Sequence, residues 1–99
     1  MLWYCRFQWY PGVTREQVAK RILEQHQAGG NRRREIVKGW YNLTGGGAGF
    51  LLLDCNDPRE VTAFLQPYMD IISWDVHAVY SLDYDQEIQR LQQVVHQPA

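Results

Sequence analysis

The stretch Thr44–Asp57, TGGGAGFLLLDCND, decides the fold. Its glycine run has two physical readings, a phosphate cradle or a turn between strands. A phosphate cradle needs a helix directly after the glycines, because free backbone N–H groups and the helix dipole hold the anion. The nucleotide-binding version also needs Lys followed by Ser or Thr at its end. Here EIVKGWYNL (35–43) precedes the glycines and GFLLLDC (49–55) follows, both strand-like, and no Lys-Ser/Thr pair closes the run. Gly45-Gly46-Gly47 therefore predict a tight or bulged hairpin, where residues free to take positive φ are required.

A helix begins where the hairpin ends. Asp57 is placed as N-cap, Pro58 at the first helical position and Glu60 at the third. Val61, Phe64, Leu65 and Tyr68 form its apolar stripe, and Pro67 predicts its end or a kink. Upstream, LWYCRFQWY (2–10) reads as a strand closed by Pro11-Gly12, with odd positions Trp3, Cys5, Phe7 and Trp9 wholly apolar. Thr14 opens a helix with Gln17 completing a capping box. Its stripe is Val18, Ala19, Ile22, Leu23 and His26, the last a boundary residue with a wet edge, and Gly29-Gly30 stops it. Arg32-Arg33-Arg34 then read as a solvated loop, with a grip on phosphate or carboxylate as the sharper alternative. Downstream, ISWDVHAVYSL (72–82) alternates as a fourth strand. Asp83 or Asp85 caps a final helix, with Ile88, Leu91 and Val95 predicted inward and Pro98 closing the chain.

The order is β-α-β-β-α-β plus a C-terminal helix. The predicted fold class is α+β, ferredoxin-like, with an antiparallel sheet of order 4-1-3-2 and both main helices on one face. Residues 1–99 read as a single domain, with a core over 1–82 and a helix at about 84–96. A chain of 99 residues has a modest core, and self-association is a common remedy. Thirteen aromatics are many for this length, so part of that area is expected to meet a partner or ligand.

The same element order belongs to the RNA-recognition motif, whose third strand carries a glycine–aromatic signature. Gly47-Ala48-Gly49-Phe50 matches its middle. However, Ala48 and Leu53 stand where stacking aromatics are expected, and a formal charge of −1 supplies no attraction to phosphates. Nucleic acid is not an expected partner. No run approaches the roughly 18 apolar residues of a membrane span, and the first residues lack a signal-peptide pattern, so a cytoplasmic location is expected. Cys5 and Cys55 read as buried thiols. With His26, His77 and His96 they show no metal-ligand spacing, and no cofactor motif is present.

Two helices leave one sheet face uncovered. On strand four the even positions Trp74, Val76, Ala78, Tyr80 and Leu82 are expected under the helices, and Ser73, Asp75, His77, Val79 and Ser81 on the open face. Strand one then turns Tyr4, Arg6, Gln8 and Tyr10 to that face. Strand three is apolar on both sides at Phe50 to Leu53, which argues for cover on both. A second copy, packed sheet to sheet, is expected to provide it and to enclose a cavity lined by Phe50, Leu52 and Trp40. Either Trp40 or Tyr41 points into that cavity, not both.

Gly39-Trp40, FLLLDCNDP (50–58) and the strand from Ile72 to Val79 together resemble the dimeric α+β barrel superfamily, which includes antibiotic-biosynthesis-type monooxygenases, stress-responsive barrel proteins and small polyketide cyclases. Within it the chain is most similar to short bacterial proteins defined only as a domain of unknown function. The resemblance covers most of residues 1–82. It implies a homodimer, a small aromatic or polyketide-like ligand, and a cavity histidine on the last strand acting as an acid/base; His77 matches that placement. Strand one carries Arg6 and no histidine, so a histidine pair is not implied. An enzyme built this way would be monooxygenase-like or cyclase-like. His77 would move a proton, Asp75 would orient it, Arg6 would hold a carboxylate or enolate oxygen, and Tyr4 would donate a phenol hydrogen bond. The competing readings are a polar network in a dimer interface and a non-catalytic adaptor that docks a protein partner.

Overall fold

The computed structural model describes residues 1–29 and 32–96; of Arg32 and Arg33 only the backbone is described, so the arginine run is open to a structural account at Arg34 alone, and Gly30 and Pro98 lie outside the described residues. The elements are β1 (Leu2–Trp9), α1 (Arg15–Gln27), β2 (Val37–Asn42), β3 (Ala48–Asp54), α2 (Pro58–Leu65), β4 (Ile72–Val79) and α3 (Tyr84–His96). Short 3-10 turns at Arg32–Ile36 and Gln66–Tyr68 precede β2 and extend α2. The four strands form one antiparallel sheet of order β2-β3-β1-β4, the predicted order counted from its other edge. This is a ferredoxin-like βαββαβ arrangement with an added C-terminal helix. Among the described residues no helix is long and apolar enough to cross a membrane.

Local chemistry places the boundaries. The Thr14 hydroxyl accepts from Gln17 N while the Gln17 side chain accepts from Thr14 N, so the capping box is complete. The Asp57 carboxylate accepts from Arg59 N, and Pro58 occupies the first turn of α2. The α-helix ends at Leu65 and continues as a 3-10 turn through Pro67, which has no N–H to offer an i→i−4 bond. The glycine run is a hairpin: Leu43 N donates to Ala48 O, Gly46 N to Leu43 O, and Gly46 and Gly47 have φ of +80° and +77°.

The alternation of β1 separates two faces. Cys5 and Phe7 are buried beneath the helices. Cys5, Leu51 and Leu53 pack against Val61 and Leu65 of α2, and Phe7, Ile72 and Tyr68 pack against Val18 of α1. Leu53, Leu65 and Cys5 are essentially sealed from water. Cys5 and Cys55 are buried thiols.

Three expectations need correction. Glu35 and Ile36 belong to the 3-10 turn and not to strand two, and a register shift between Val37 and Gly39 leaves Lys38 as an extra residue in the ladder. Strand four stops at Val79, because Val79 pairs with Leu2, where β1 begins, and no partner strand lies beyond. Its apolar side is only half covered: Trp74 packs in the core, whereas Val76, Tyr80 and Leu82 are exposed. The final helix is capped by Asp83, whose carboxylate accepts from Gln86 N, but its apolar stripe does not face inward. No residue of α3 is buried, Leu91 and Val95 are exposed, and the molecule is 59 Å long.

Gly49 permits the closest approach in the sheet. A Cβ there would strike the Tyr41 carbonyl oxygen and come within 2.7 Å of Phe7 Cζ. The carbonyl belongs to the β2–β3 ladder and has no freedom to retreat. We predict that Gly49→Ala lowers stability to urea by about 1–3 kcal/mol. Gly45→Ala, where an added Cβ meets nothing within 4 Å, should stay within about 0.5 kcal/mol of the parent.

Candidate functional site

The open sheet face carries the residues singled out from the sequence. Across the β1–β4 ladder Arg6 stands opposite Asp75, and Tyr4 opposite His77; across β1–β3, Arg6 pairs with Phe50 and Tyr4 with Leu52. Tyr4, Arg6, Asp75 and His77 therefore do share one face with Phe50 and Leu52. His77 Nε2 lies 2.9 Å from Asp75 Oδ1, with both side chains more than half exposed. In water such a pair contributes about 0–1 kcal/mol, so by itself it neither rigidifies the strand nor dries a site.

Trp40 is placed elsewhere. It pairs with Leu51 and so lies on the helix side, whereas Tyr41 pairs with Phe50 on the open face. The Tyr41 ring stacks on Phe50 at 4.9 Å, and Phe50 meets Tyr4 at 5.1 Å. Three aromatic rings thus run across β2, β3 and β1. The extra residue at Lys38 sets this facing, since one added residue reverses which side chains point to a given side.

A second concave region lies on the helix side, and sequence reasoning missed it. Between α1, α2 and the sheet is a cleft of about 600 Å³. Its floor is aromatic: Phe7, Trp9, Trp40 and Trp74 from the strands, with Phe64 and Tyr68 from the α2 side. Val18, Ala19 and Ile22 of α1 form the opposite wall, and Arg15, His26 and Arg34 stand on its margins. The volume falls within the usual range for small-molecule pockets, which are mostly apolar with a few polar groups. Trp74 Nε1 is buried and, among the described residues, has no hydrogen-bond partner. Trp3, by contrast, donates from Nε1 to Cys55 O at 3.1 Å. The available signal was the excess of tryptophan on the helix-facing positions of β1, β2 and β4.

One clamp holds α1 over this cleft. Arg21 donates to both Asp70 carboxylate oxygens at 2.6 and 2.9 Å and to Pro67 O at 2.7 Å. Bidentate pairing of this kind fixes geometry as well as contributing energy. The Arg21 hydrogen bond holds the Asp70 carboxyl below the ordinary carboxylate range. Burial, with Cys55 nearby, pushes the Cys5 thiol up to about 11, so it stays protonated at neutral pH and is a poor nucleophile. Among the described residues, no three His, Cys, Asp or Glu side chains gather as a metal-binding group.

Fold and cleft together define a small ferredoxin-like α+β domain with an aromatic hollow under its first helix. Over residues 1–94 the chain matches the family model described as Domain of unknown function (DUF3303), and it belongs to that family. No curated protein matches it.

The clamp has a pH signature. A folded carboxyl held low contributes stability in full above the ordinary carboxylate value of about 3.9, and loses it as pH falls through its own lowered value. Urea unfolding at pH 6 and pH 3 should show a larger acid loss for the parent than for Arg21→Gln. Asp57 and Glu87, also held low, by Arg59 and Arg90, act equally in both proteins and cancel in that comparison.

Proposed function

We propose that this protein binds a small, flat, apolar organic molecule in the helix-side cleft and works as a pair of identical chains. The observation that carries the binding reading is the buried Trp74 N–H, left without a partner in the wall of an aromatic cleft. A buried donor without an acceptor costs about 1–3 kcal/mol, and a bound ligand that supplies an acceptor recovers it. Aromatic walls favour a planar ring through stacking and edge-to-face contacts.

Self-association is supported by two further surfaces. The aromatic ridge of Tyr4, Phe50 and Tyr41 lies on the sheet face away from α1 and α2. The α3 stripe leaves Leu91, Val94 and Val95 exposed, and no residue of that helix is buried. A second copy packed sheet to sheet, with each α3 laid on the other chain, shelters both. In that arrangement Arg6, Asp75 and His77 form a polar network at the interface.

Two measurements test this. In a thermal-shift titration 2-naphthol should raise the melting temperature, reaching about 2.7 kcal/mol of stabilisation at one hundred times its Kd. Ala19→Phe, which fills the cleft from the α1 side, should remove the shift. Loss of the shift in Phe50→Ser, with Ala19→Phe still responding, would place the ligand on the open face instead. Sedimentation equilibrium should give twice the chain mass of 11.7 kDa, and Leu91→Glu with Val95→Glu should return it to one chain. A single-chain mass for the parent at micromolar concentration would remove the pairing.

A further inference from the structure

The cleft has a chemical polarity that narrows its ligand. Its margins carry Arg15, His26 and Arg34, and among the described residues no carboxylate side chain lines it. Neither Arg15 nor Arg34 is ion-paired among the described residues, in contrast to Arg21, Arg59 and Arg90, which each hold a carboxylate. A guanidinium has donors and no acceptor, and an indole N–H likewise only donates. The cleft's formal charges are therefore guanidinium groups, set beside Asn42 and Tyr68, which both donate and accept, and it is apolar between these points.

The topology brings two of these donors to one end. Trp9 at the end of β1 pairs with Ile72 at the start of β4, and Phe7 pairs with Trp74 one step inward. Arg15 opens α1 six residues after Trp9, joined by a turn in which Val13 N donates to Tyr10 O. Arg15 and Trp74, whose Nε1 is closed to solvent, thus belong to the same end of the cleft. Arg34 stands three residues before Val37, and Val37 pairs with Leu53, which pairs with Trp3 of β1 at the far end of the strands.

We propose that the cleft selects an aromatic carboxylate, with the ring among the tryptophans and the carboxylate at the Arg15 and Trp74 end. This rests on the binding reading above and adds the charge of the ligand and its direction. A carboxylate is acceptor-only and matches both donors, and guanidinium binds it through paired N–H bonds. A ring amide of the same shape keeps the stacking but loses the charge-assisted bonds. An aromatic cation is excluded by Arg15 and Arg34 together.

The test compares 2-naphthoate with 2-naphthamide by isothermal titration at low salt. Naphthoate should bind at least tenfold more tightly, a difference of about 1.4 kcal/mol. Arg15→Gln should bring naphthoate down to the level of the amide while weakening amide binding much less, and an unchanged far-ultraviolet circular dichroism spectrum shows that the variant is folded. Arg34→Gln should preserve the preference. Equal binding of acid and amide to the parent overturns the anion claim while leaving the cleft as a binding site. Loss of the preference in Arg34→Gln but not in Arg15→Gln overturns the proposed direction. Binding of neither compound overturns the binding reading itself, and the anion claim with it.

Discussion

Two helices of thirteen and eight residues must roof a four-stranded sheet. At 1.5 Å per residue α2 spans about 12 Å, against about 26 Å for an eight-residue strand. The roof is too short, and most of the other features follow from that shortage. Sheet area beneath α1 is bridged but not filled, which leaves the cleft. The far half of β4 goes uncovered, which leaves Val76 exposed. Val18 and the Arg21–Asp70 clamp hold α1 to the sheet, and Trp9 and Trp40 line the cleft left beside them.

The two faces of the sheet consequently differ in kind. On the helix side, large aromatic side chains surround a hollow with few polar atoms, an environment that strengthens any hydrogen bond formed within it. On the open side, three stacked rings lie beside exposed charges, an arrangement typical of the mixed surface of an interface. Ligand and partner therefore need not compete for one surface. The exposed stripe of α3 adds apolar area beyond the sheet, on an element that the rest of the chain leaves bare. The family to which the chain belongs carries no assigned reaction, so the chemistry of these surfaces is the basis for any functional account.

Much of the fold was legible because local chemistry is short-range. Thr14 with Gln17, Asp57 with Pro58, and the positive-φ glycines of the hairpin each act over three or four residues, and each stands where the pattern put it. The open-face set of Tyr4, Arg6, Asp75 and His77 was legible for the same reason, since alternation along β1 and β4 requires only a regular ladder. The facing of Trp40 was not, because the extra residue at Lys38 depends on how β2 meets β3 and not on β2 itself. The end of β4 was hidden as well: the alternation runs on to Leu82, but a strand lasts only as long as its partner. The cleft was least legible of all. Tryptophans on the helix-facing positions read as core, and only the helix lengths set against the strand lengths reveal that the core meets them on one side and leaves the other side open.

The central claim is that the hollow beneath α1 is open and receives a planar ligand through its tryptophans. It is tested most directly by the four indole N–H resonances of the ¹⁵N-labelled protein, recorded during a titration with 2-naphthoate. The account predicts that the Trp74 signal moves furthest, that Trp9 and Trp40 move with it, and that Trp3, bonded to the Cys55 carbonyl on the α2 side, stays in place. A stationary Trp74 signal, with perturbation confined to the neighbourhood of Tyr4, Phe50 and His77, would contradict it.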